Sequence, residues 1–323
     1  MVVKKWGFVN MDFLNKKPLL VAEIGSGHEG NFDLAVQMVE AAAESGADVI
    51  KFQIYKAKEL IHPILLSKQF ERCLLLEFSE EQWKELFETA RRHKIDFFAS
   101  VFGDWGLKLV SQNCNWIKIA SGDLNHLGLL RKVGNTRKKV ILSTGMSTLD
   151  EIGLAIFNLG HDNICLLHCM SLYPCPPESA NLSWIWKLRE EFGLPVGYSD
   201  HCVGIDVAIQ SLQYFPVIIE KHFTLTPELK IGDHPHSATP KMLSELRTAI
   251  EENSKKDHWT RFNNRSDMEN RKRWRRGIYL TSEAANKKEI TEDDMVVVRP
   301  EEGSSVSADA YFAVVRNNIS GRI

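Results

Sequence analysis

Short apolar runs alternate along this chain with stretches in which apolar residues recur at helical spacing. Eight runs occur before residue 225, and each is followed by a stretch of helical periodicity. The runs are nearly continuous in apolar residues, which is typical of parallel strands covered on both faces. The strands predicted from these runs are 18–25, 48–54, 96–102, 116–123, 139–146, 163–170, 195–201 and 217–224.

The repetition of strand and helix predicts the fold class. Eight consecutive β-α units favour an α/β fold, a closed (β/α)8 or TIM barrel, over a doubly wound open sheet, which usually has fewer strands. The first helix is predicted over 31–45, where Asn31 or Asp33 can cap its start. The longer connection 55–95 is predicted to carry a loop over the barrel mouth before a helix near 80–93.

The pattern changes after residue 250. Segment 251–277 is highly charged and poor in aliphatic residues, which is typical of a helix end followed by a linker. Later apolar stretches predict a small β-rich module of about 45 residues, which is marginal as an independent fold and is expected to lean on the barrel or on another subunit. The predicted regions are an N-terminal extension (1–17), a barrel (18–254), a linker (255–276) and a C-terminal module (277–323).

Composition narrows the class of protein. Lys and Arg number 40 against 42 Asp and Glu, so no global field favours nucleic acid or a membrane surface as partner. No apolar run has the length of a signal peptide or a membrane span, so a cytoplasmic location is expected. The six cysteines are expected to be reduced thiols. A structural zinc site is disfavoured because no tight C-x2-C pair occurs among Cys169, Cys175 and Cys202.

Polar and ionisable residues follow or end all eight predicted strands. The active site of a (β/α)8 barrel lies at the C-terminal ends of its strands, and buried charges are costly unless paired, so a purely structural barrel has no need of them. Two lysines among hydroxyl groups suit a phosphate or carboxylate, and two histidines on neighbouring strands suit a divalent metal. The residues expected to converge are Glu23, Lys51, Gln53, Ser100, Lys118, Ser121, Asp123, Ser143, His168, Ser171, Tyr173, Ser199, Asp200, His201, Glu220, Lys221 and His222.

Several motifs resemble the sialic-acid synthase family, which includes N-acetylneuraminate, legionaminate and pseudaminate synthases and spore-coat polysaccharide relatives. The resemblance covers about residues 18–250, and YSDH followed some twenty residues later by EKHF is its most specific part. The tail segment 290–303 resembles the family's C-terminal antifreeze-like (SAF) domain, although the chain stops before that domain's final strand. The matching motifs are AEIGSGHEGN (22–31), KFQ (51–53), KIASGD (118–123), LSTGM (142–146), SLYPCPP (171–177), LPVGYSDH (194–201) and IEKHFT (219–224).

The resemblance implies an activity and a cofactor. Such enzymes condense phosphoenolpyruvate with the open-chain aldehyde of an N-acylated amino sugar, N-acetylmannosamine or a relative, to give a nonulosonic acid and phosphate. By resemblance, His201 and His222 would hold a divalent metal, commonly Mn²⁺ with Mg²⁺ or Co²⁺ as alternatives. The resemblance also implies a domain-swapped homodimer.

Residue roles follow from the same resemblance. The catalytic residues would be Glu23, near the metal and the sugar, Asp123, and Asp233, which would bond to sugar hydroxyls. Gln53 would contact the sugar, and Arg299 in the tail would reach its N-acyl group. Phosphoenolpyruvate would be cradled by Lys51, Ser100, Lys118, Ser121, Ser143, Ser171, Tyr173 and Ser199.

Three departures from the family pattern lie near the sugar. Asp123 stands where the family usually carries Glu, Gly27 replaces the usual Asn, and Gly232 replaces a frequent Pro. They leave the identity of the acceptor open. Two alternatives remain: a phosphoenolpyruvate-dependent synthase acting on a phosphorylated aldose, which the lack of a basic pair in 225–240 disfavours, and a catalytically degenerate sugar-binding barrel, which Gly27 and Asp123 favour.

Overall fold

The chain separates into two compact units, Met1–Lys255 and Lys256–Ile323, which are considered one at a time. No helix in the described part of the chain is long and apolar enough to cross a membrane. The structure, a computed structural model, describes residues 17–161, 163–229, 231–255, 277–284, 287, 291–298 and 306–307.

Eight parallel strands form a closed barrel in the first unit. Each strand pairs with the next, and the first pairs with the eighth, which confirms the predicted fold class. Each strand lies within its predicted run, and the runs extend beyond the strands into the loops that carry the site. The strands are β1 (Leu19–Glu23), β2 (Val49–Ile54), β3 (Asp96–Val101), β4 (Trp116–Ile119), β5 (Lys139–Ser143), β6 (Ile164–Cys169), β7 (Val196–Asp200) and β8 (Ile218–His222).

The helices connect these strands. The side chain of Asn31 accepts a hydrogen bond from the backbone N–H of Leu34 and caps α1, as predicted. The capping box of Ser79 and Gln82 fixes the start of α4 in the same way. The helices are α1 (Phe32–Glu44), α2 (Ala57–Leu60), α3 (Ser67–Leu75), α4 (Glu80–Arg92), α5 (Asp104–Asn113), α6 (Leu127–Asn135), α7 (Leu149–Leu159), α8 (Trp184–Phe192), α9 (Asp206–Ser211) and α10 (Pro240–Lys255).

The connection 55–95 differs from the predicted loop because it contains α2 and α3 before the predicted α4. Helix α2 has four residues, and the carboxylate of Glu77 accepts a hydrogen bond from the backbone N–H of Ala57 at its start. This partner lies twenty residues away, so no local pattern could reveal it. Helix α3 buries none of its residues, although its apolar residues Phe70, Cys73 and Leu74 recur at helical spacing.

The interior of the barrel is apolar at the N-terminal ends of the strands and polar at their C-terminal ends. Successive side chains of a strand point to opposite faces, so residues two apart share a face. On β1, apolar Val21 precedes Glu23 on the inner face, and Ile218 precedes Glu220 on β8. The apolar inner layer, which closes the N-terminal end, consists of Val21, Val49, Phe98, Ile141, Cys165, Leu167, Val217 and Ile218.

The second unit contains three described strands, β9 (Gly277–Leu280), β10 (Met295–Val298) and β11 (Val306–Ser307). Both β10 and β11 pair antiparallel with β9. The six cysteines of the chain, all in the first unit, are free thiols, as predicted.

Candidate functional site

A polar cavity opens at the C-terminal ends of the barrel strands. Its empty volume is about 590 Å³, part of it open to solvent. The predicted site residues that line it are Glu23, Lys51, Gln53, Ser100, Lys118, Ser121, Ser143, Tyr173, Ser199, His201, His222 and Asp233. Ala120, Cys169 and Glu220 complete the lining.

The other predicted site residues lie elsewhere. Asp123 ends a short 3₁₀ turn after β4, outside the cavity lining, and burial raises the pKa of its carboxyl to about 6. Ser171 lies beside Gly145, where an added Cβ would be 2.5 Å from Ser171 Oγ and 2.9 Å from Ser121 Oγ. Glycine at 145 therefore leaves room for both hydroxyls, and Ser171 Oγ is buried without a hydrogen-bond partner among the described residues. Arg299 is outside the described residues.

Three of the strand-end residues expected to converge on the mouth face away from it. His168 Nε2 is 2.8 Å from the carbonyl oxygen of Ala180. Lys221 Nζ donates to Asp200 Oδ2 at 2.8 Å, and both side chains are fully buried. The prediction was wrong for His168, Asp200 and Lys221 because it counted every polar residue near a strand end, whereas only alternate residues face the interior.

The pair of Asp200 and Lys221 acts on the backbone next to the cavity. Asp200 Oδ1 accepts a hydrogen bond from the backbone N–H of Cys202 at 3.1 Å, and Lys221 Nζ donates to the Cys202 carbonyl. Both polar backbone groups of the residue after His201 are thus fixed from outside the barrel. The same lysine precedes His222, so one ion pair positions both histidine-bearing segments.

The bottom of the cavity holds four buried charges, which we call the floor: Glu23, Lys51, Lys118 and Glu220. Lys51 Nζ lies 2.6 Å from Glu23 Oε2 and 3.2 Å from Glu220 Oε1. Lys118 Nζ lies 3.8 Å from Glu220 Oε1. Sequence reasoning noted Glu220 at a strand end but assigned it no role. Its spacing of two from His222 was the available signal.

Hydroxyl groups surround the floor. Lys118 Nζ donates to Ser143 Oγ at 2.7 Å, and Ser199 Oγ donates to Glu220 Oε1 at 3.0 Å. Ser100 Oγ is buried and has no hydrogen-bond partner among the described residues. A hydroxyl in this state can donate to a ligand without breaking an existing bond.

The two floor carboxyls differ in ionisation. Burial, with the negative charge of Glu220, raises the pKa of Glu23 to about 7 against the opposing effect of Lys51. Burial also acts to raise the pKa of Glu220, but Lys118 and Lys51 outweigh it and lower that pKa to about 2. Near neutral pH, Glu220 is therefore ionised, whereas Glu23 can hold or release a proton.

The two floor lysines also differ. Burial acts to lower the pKa of Lys51, but Glu220 and Glu23 outweigh it and raise the pKa above its usual value. Burial lowers the pKa of Lys118, although Glu220 acts in the opposite direction. Lys51 is thus held charged by its two carboxylate neighbours, whereas Lys118 is the less firmly protonated cation.

A second group, which we call the rim, consists of His222, Asp233 and His236. Their candidate ligand atoms all lie within 4.8 Å of one another. His222 Nδ1 is 3.9 Å from Asp233 Oδ2, and His236 Nε2 is 4.0 Å from Asp233 Oδ1, both too long for hydrogen bonds. Sequence reasoning missed His236, for which the signal was its place three residues after Asp233 in GDHPH.

Asp233 is held in place from the loop after β1. The backbone N–H and the Oγ of Ser26 both donate to Asp233 Oδ2 at 2.9 Å. Gly25 has φ +54°, and a Cβ there would overlap Asp233 Oδ2. Only glycine permits this approach without strain. Burial acts to raise the pKa of Asp233, but His222 and Ser26 outweigh it and lower the pKa to about 2.

His201 stands beside the rim. Its ring centroid is 5.5 Å from that of His222, and its Nδ1 lies 2.6 Å from the carbonyl oxygen of Met170. Burial lowers the pKa of His201 to about 4 and also lowers the pKa values of His222 and His236. Neutral imidazoles beside a carboxylate form a donor set that fits a divalent metal.

Residues 38–258, more than half of the chain, match the family described as the NeuB family. The chain is 37% identical over 253 residues to the N,N'-diacetyllegionaminic acid synthase of Campylobacter jejuni, which covers 73% of this chain and 76% of that protein. It is 32% identical over 328 residues to the N,N'-diacetyllegionaminic acid synthase of Legionella pneumophila, with 93% and 90% covered.

A solved structure agrees with these matches. The fold is similar to that of the N-acetylneuraminic acid (sialic acid) synthetase from Leptospira borgpetersenii in complex with citrate, with a TM-score of 0.71 and 31% identity. The similarity covers 79% of this chain and 94% of that one. The names of these relatives thus specify two different sugar acids.

Proposed function

Because this chain belongs to the NeuB family, we propose that it condenses phosphoenolpyruvate with the open-chain aldehyde of an N-acylated amino sugar, such as N-acetylmannosamine or a relative. The product would be a nonulosonic acid. The reaction forms one carbon–carbon bond, adds one water and releases one phosphate. The observation that carries the proposal is that one cavity contains both the two floor lysines and a rim whose donor atoms suit a metal ion.

The floor is the proposed site of phosphoenolpyruvate. A ligand with one carboxylate and one phosphate needs at least two cations and several donors, and Lys51 and Lys118 supply the cations. The free Oγ of Ser100 is a donor that such an anion would engage. The further hydroxyls proposed to bind it are Ser121, Ser143, Ser171, Tyr173 and Ser199.

His201 and His222 are the residues proposed to hold the divalent metal, Mn²⁺ with Mg²⁺ or Co²⁺ as alternatives, and Asp233 is proposed to bond to sugar hydroxyls. Two buried nitrogens at the rim, those of His222 and His236, have no hydrogen-bond partner among the described residues, so the chain's own residues fit such an ion. Bound there, the ion would supply Lewis-acid polarisation of the aldehyde oxygen.

Glu23 is the proposed proton-transfer group because it lies between Lys51 of the floor and His222 of the rim. In the barrel register it is the partner of Lys51 on one side and of His222 on the other. Its pKa of about 7 lets the carboxyl give or take a proton near neutral pH. Gln53 Nε2 donates to Glu23 Oε1 at 3.3 Å and orients this carboxyl.

The proposed synthase and its two alternatives, a synthase of phosphorylated aldoses and a degenerate sugar-binding barrel, predict different assay results. With Mn²⁺, an amino sugar from a panel of N-acylated hexosamines should release phosphate from phosphoenolpyruvate, and a chelator should stop this. Release only with phosphorylated aldoses would favour the second synthase type. The absence of release with every sugar, in protein shown to be folded and metal-loaded, would favour the degenerate barrel.

We further propose that two chains form a homodimer in which the C-terminal module of one chain serves the barrel of the other. The loops at the barrel mouth expose apolar side chains, since Met146 is 75% and Val203 61% exposed. Exposed apolar groups of this kind support the proposal that another chain covers the mouth. Mixing a variant that lacks 277–323 with an intact-tailed Lys118→Ala variant should restore part of the activity. An inactive mixture with demonstrated subunit exchange would contradict the shared site.

A further inference from the structure

Two buried imidazole nitrogens at the rim lack partners. His222 Nδ1 and His236 Nε2 are shielded from solvent, and no described residue forms a hydrogen bond to either atom. His236 is 1% exposed. Leaving a buried polar atom without a partner is unfavourable, so two such atoms on neighbouring rings indicate a ligand that both can bind.

His234 provides a contrast within the same turn. Its Nδ1 is 2.8 Å from Thr224 Oγ1, and its Nε2 is 3.1 Å from Glu29 Oε1. Both of its nitrogens are therefore used in fixing the turn to the barrel. His236, two residues later, has no such partner at Nε2 and points its ring at the rim, 4.8 Å from the ring of His222. The fold thus holds His236 in place and leaves its Nε2 available.

We propose that His236 is a protein ligand of the divalent ion, together with His222 and Asp233. The inference rests on the proposed function for the use of a metal here and adds His236 and Asp233 to its ligands. Nitrogen and oxygen ligands lie about 2.1 Å from such an ion, so two of them are at most about 4.2 Å apart. The separations of 3.9 Å and 4.0 Å, which end on the two different carboxylate oxygens of Asp233, are each within this limit. The widest separation, within 4.8 Å, requires the side chains to close by about half an ångström.

The additional imidazole should affect which metal binds. Imidazole suits transition metals, whereas Mg²⁺ prefers oxygen ligands and keeps much of its water. Loss of His236 should therefore weaken Mn²⁺ and Co²⁺ binding more than Mg²⁺ binding. A residue that only fills space at the rim would not produce this difference.

The test is metal binding to the full-length protein without substrates. Chelator-treated protein is titrated with Mn²⁺, Co²⁺ and Mg²⁺, and the imidazole nitrogens coupled to bound Mn²⁺ are counted by electron spin-echo spectroscopy. In His236→Ala the count should fall by one and the Mn²⁺ affinity by about tenfold or more. His236→Gln, which better preserves the volume, should show the same loss and serves if the alanine variant does not fold.

His234→Gln is the matched control, since both nitrogens of His234 are already hydrogen-bonded. It should lower thermal stability but keep the nitrogen count. An unchanged count and affinity in the His236 variants would overturn the proposal, as would an equal loss of count in His234→Gln. Failure of the proposed function would instead show as normal Mn²⁺ binding without phosphate release, so the two failures are distinguishable.

Discussion

The floor and the rim of the cavity are both buried, but they satisfy their polar groups in different ways. At the floor, Lys51 contacts both carboxylates, and Lys118 donates to a serine. At the rim, His222 and His236 each keep a buried nitrogen without a partner among the described residues. The floor lysines are paired with carboxylates or a serine without a ligand, although Glu220 Oε2 has no hydrogen-bond partner among the described residues, whereas neither of the two rim nitrogens has one there. An anion that binds at the floor must therefore compete with the carboxylates for the lysines. A metal ion that binds at the rim need not displace any hydrogen bond of these two nitrogens.

The largest expected effect is the loss of folding stability when a floor lysine is removed. Lys51→Met leaves two buried carboxyls facing each other, and removing one partner of a buried pair costs about 3–5 kcal/mol. Urea unfolding at pH 7 measures this loss. Lys132→Met is the control, because its pair with Asp104 is about half exposed and should contribute less than about 1 kcal/mol. Similar small losses in both variants would mean that the floor does not stabilise the fold.

The second prediction tests whether Asp123, in the turn after β4, contributes to the choice of amino sugar. Asp123 lies outside the cavity lining, two residues after the lining residue Ser121 and in the same 3₁₀ turn. Asp123→Glu moves the carboxylate by roughly an ångström, and a misplacement of that size can change a rate by about a hundredfold. The preference among amino sugars should change more than the KM for phosphoenolpyruvate. Equal changes for both substrates would argue against a role in acceptor choice.

The smallest expected effect tests how the rim is held. In Gly25→Ala the new Cβ overlaps Asp233 Oδ2, so Mn²⁺ affinity should fall by about tenfold, in addition to a backbone strain of about 1–3 kcal/mol. Gly160→Ala is the matched control, because Gly160 also has positive φ (+67°) but nothing within 4 Å of its Cβ. It should show the strain in unfolding and keep its Mn²⁺ affinity. Equal metal affinity in both variants would contradict the anchoring of Asp233 by this loop.

The sequence predicted the barrel because parallel strands buried on both faces give continuous apolar runs, and eight of them are visible. Helix α2 was missed because Glu77, twenty residues away, caps it. The floor lysines could be predicted from their strand ends. The orientation of Asp200 and Lys221 was not recognised, because a polar run at a strand end does not show which residue faces inward until the strand register is known.

The rim could be predicted less completely from the sequence than the floor, because His236 was missed. His236 lies in no strand. Its segment is held to the end of β8 by the backbone N–H of Ala238, which donates to the His222 carbonyl at 2.6 Å, and to the loop after β1 by Ser26 and Glu29. The contacts with Ser26 and Glu29 join segments more than two hundred residues apart, which no local pattern encodes, whereas His201 and His222 lie at strand ends where convergence is expected.

The most direct test of the central claim is the identity of the product made from phosphoenolpyruvate labelled with ¹³C at all three carbons. With Mn²⁺ and an accepted amino sugar, mass spectrometry should show one product that contains the sugar and three labelled carbons, with one phosphate released per molecule formed. Phosphate released together with free labelled pyruvate, while the sugar remains unchanged, would show a phosphatase and contradict the account.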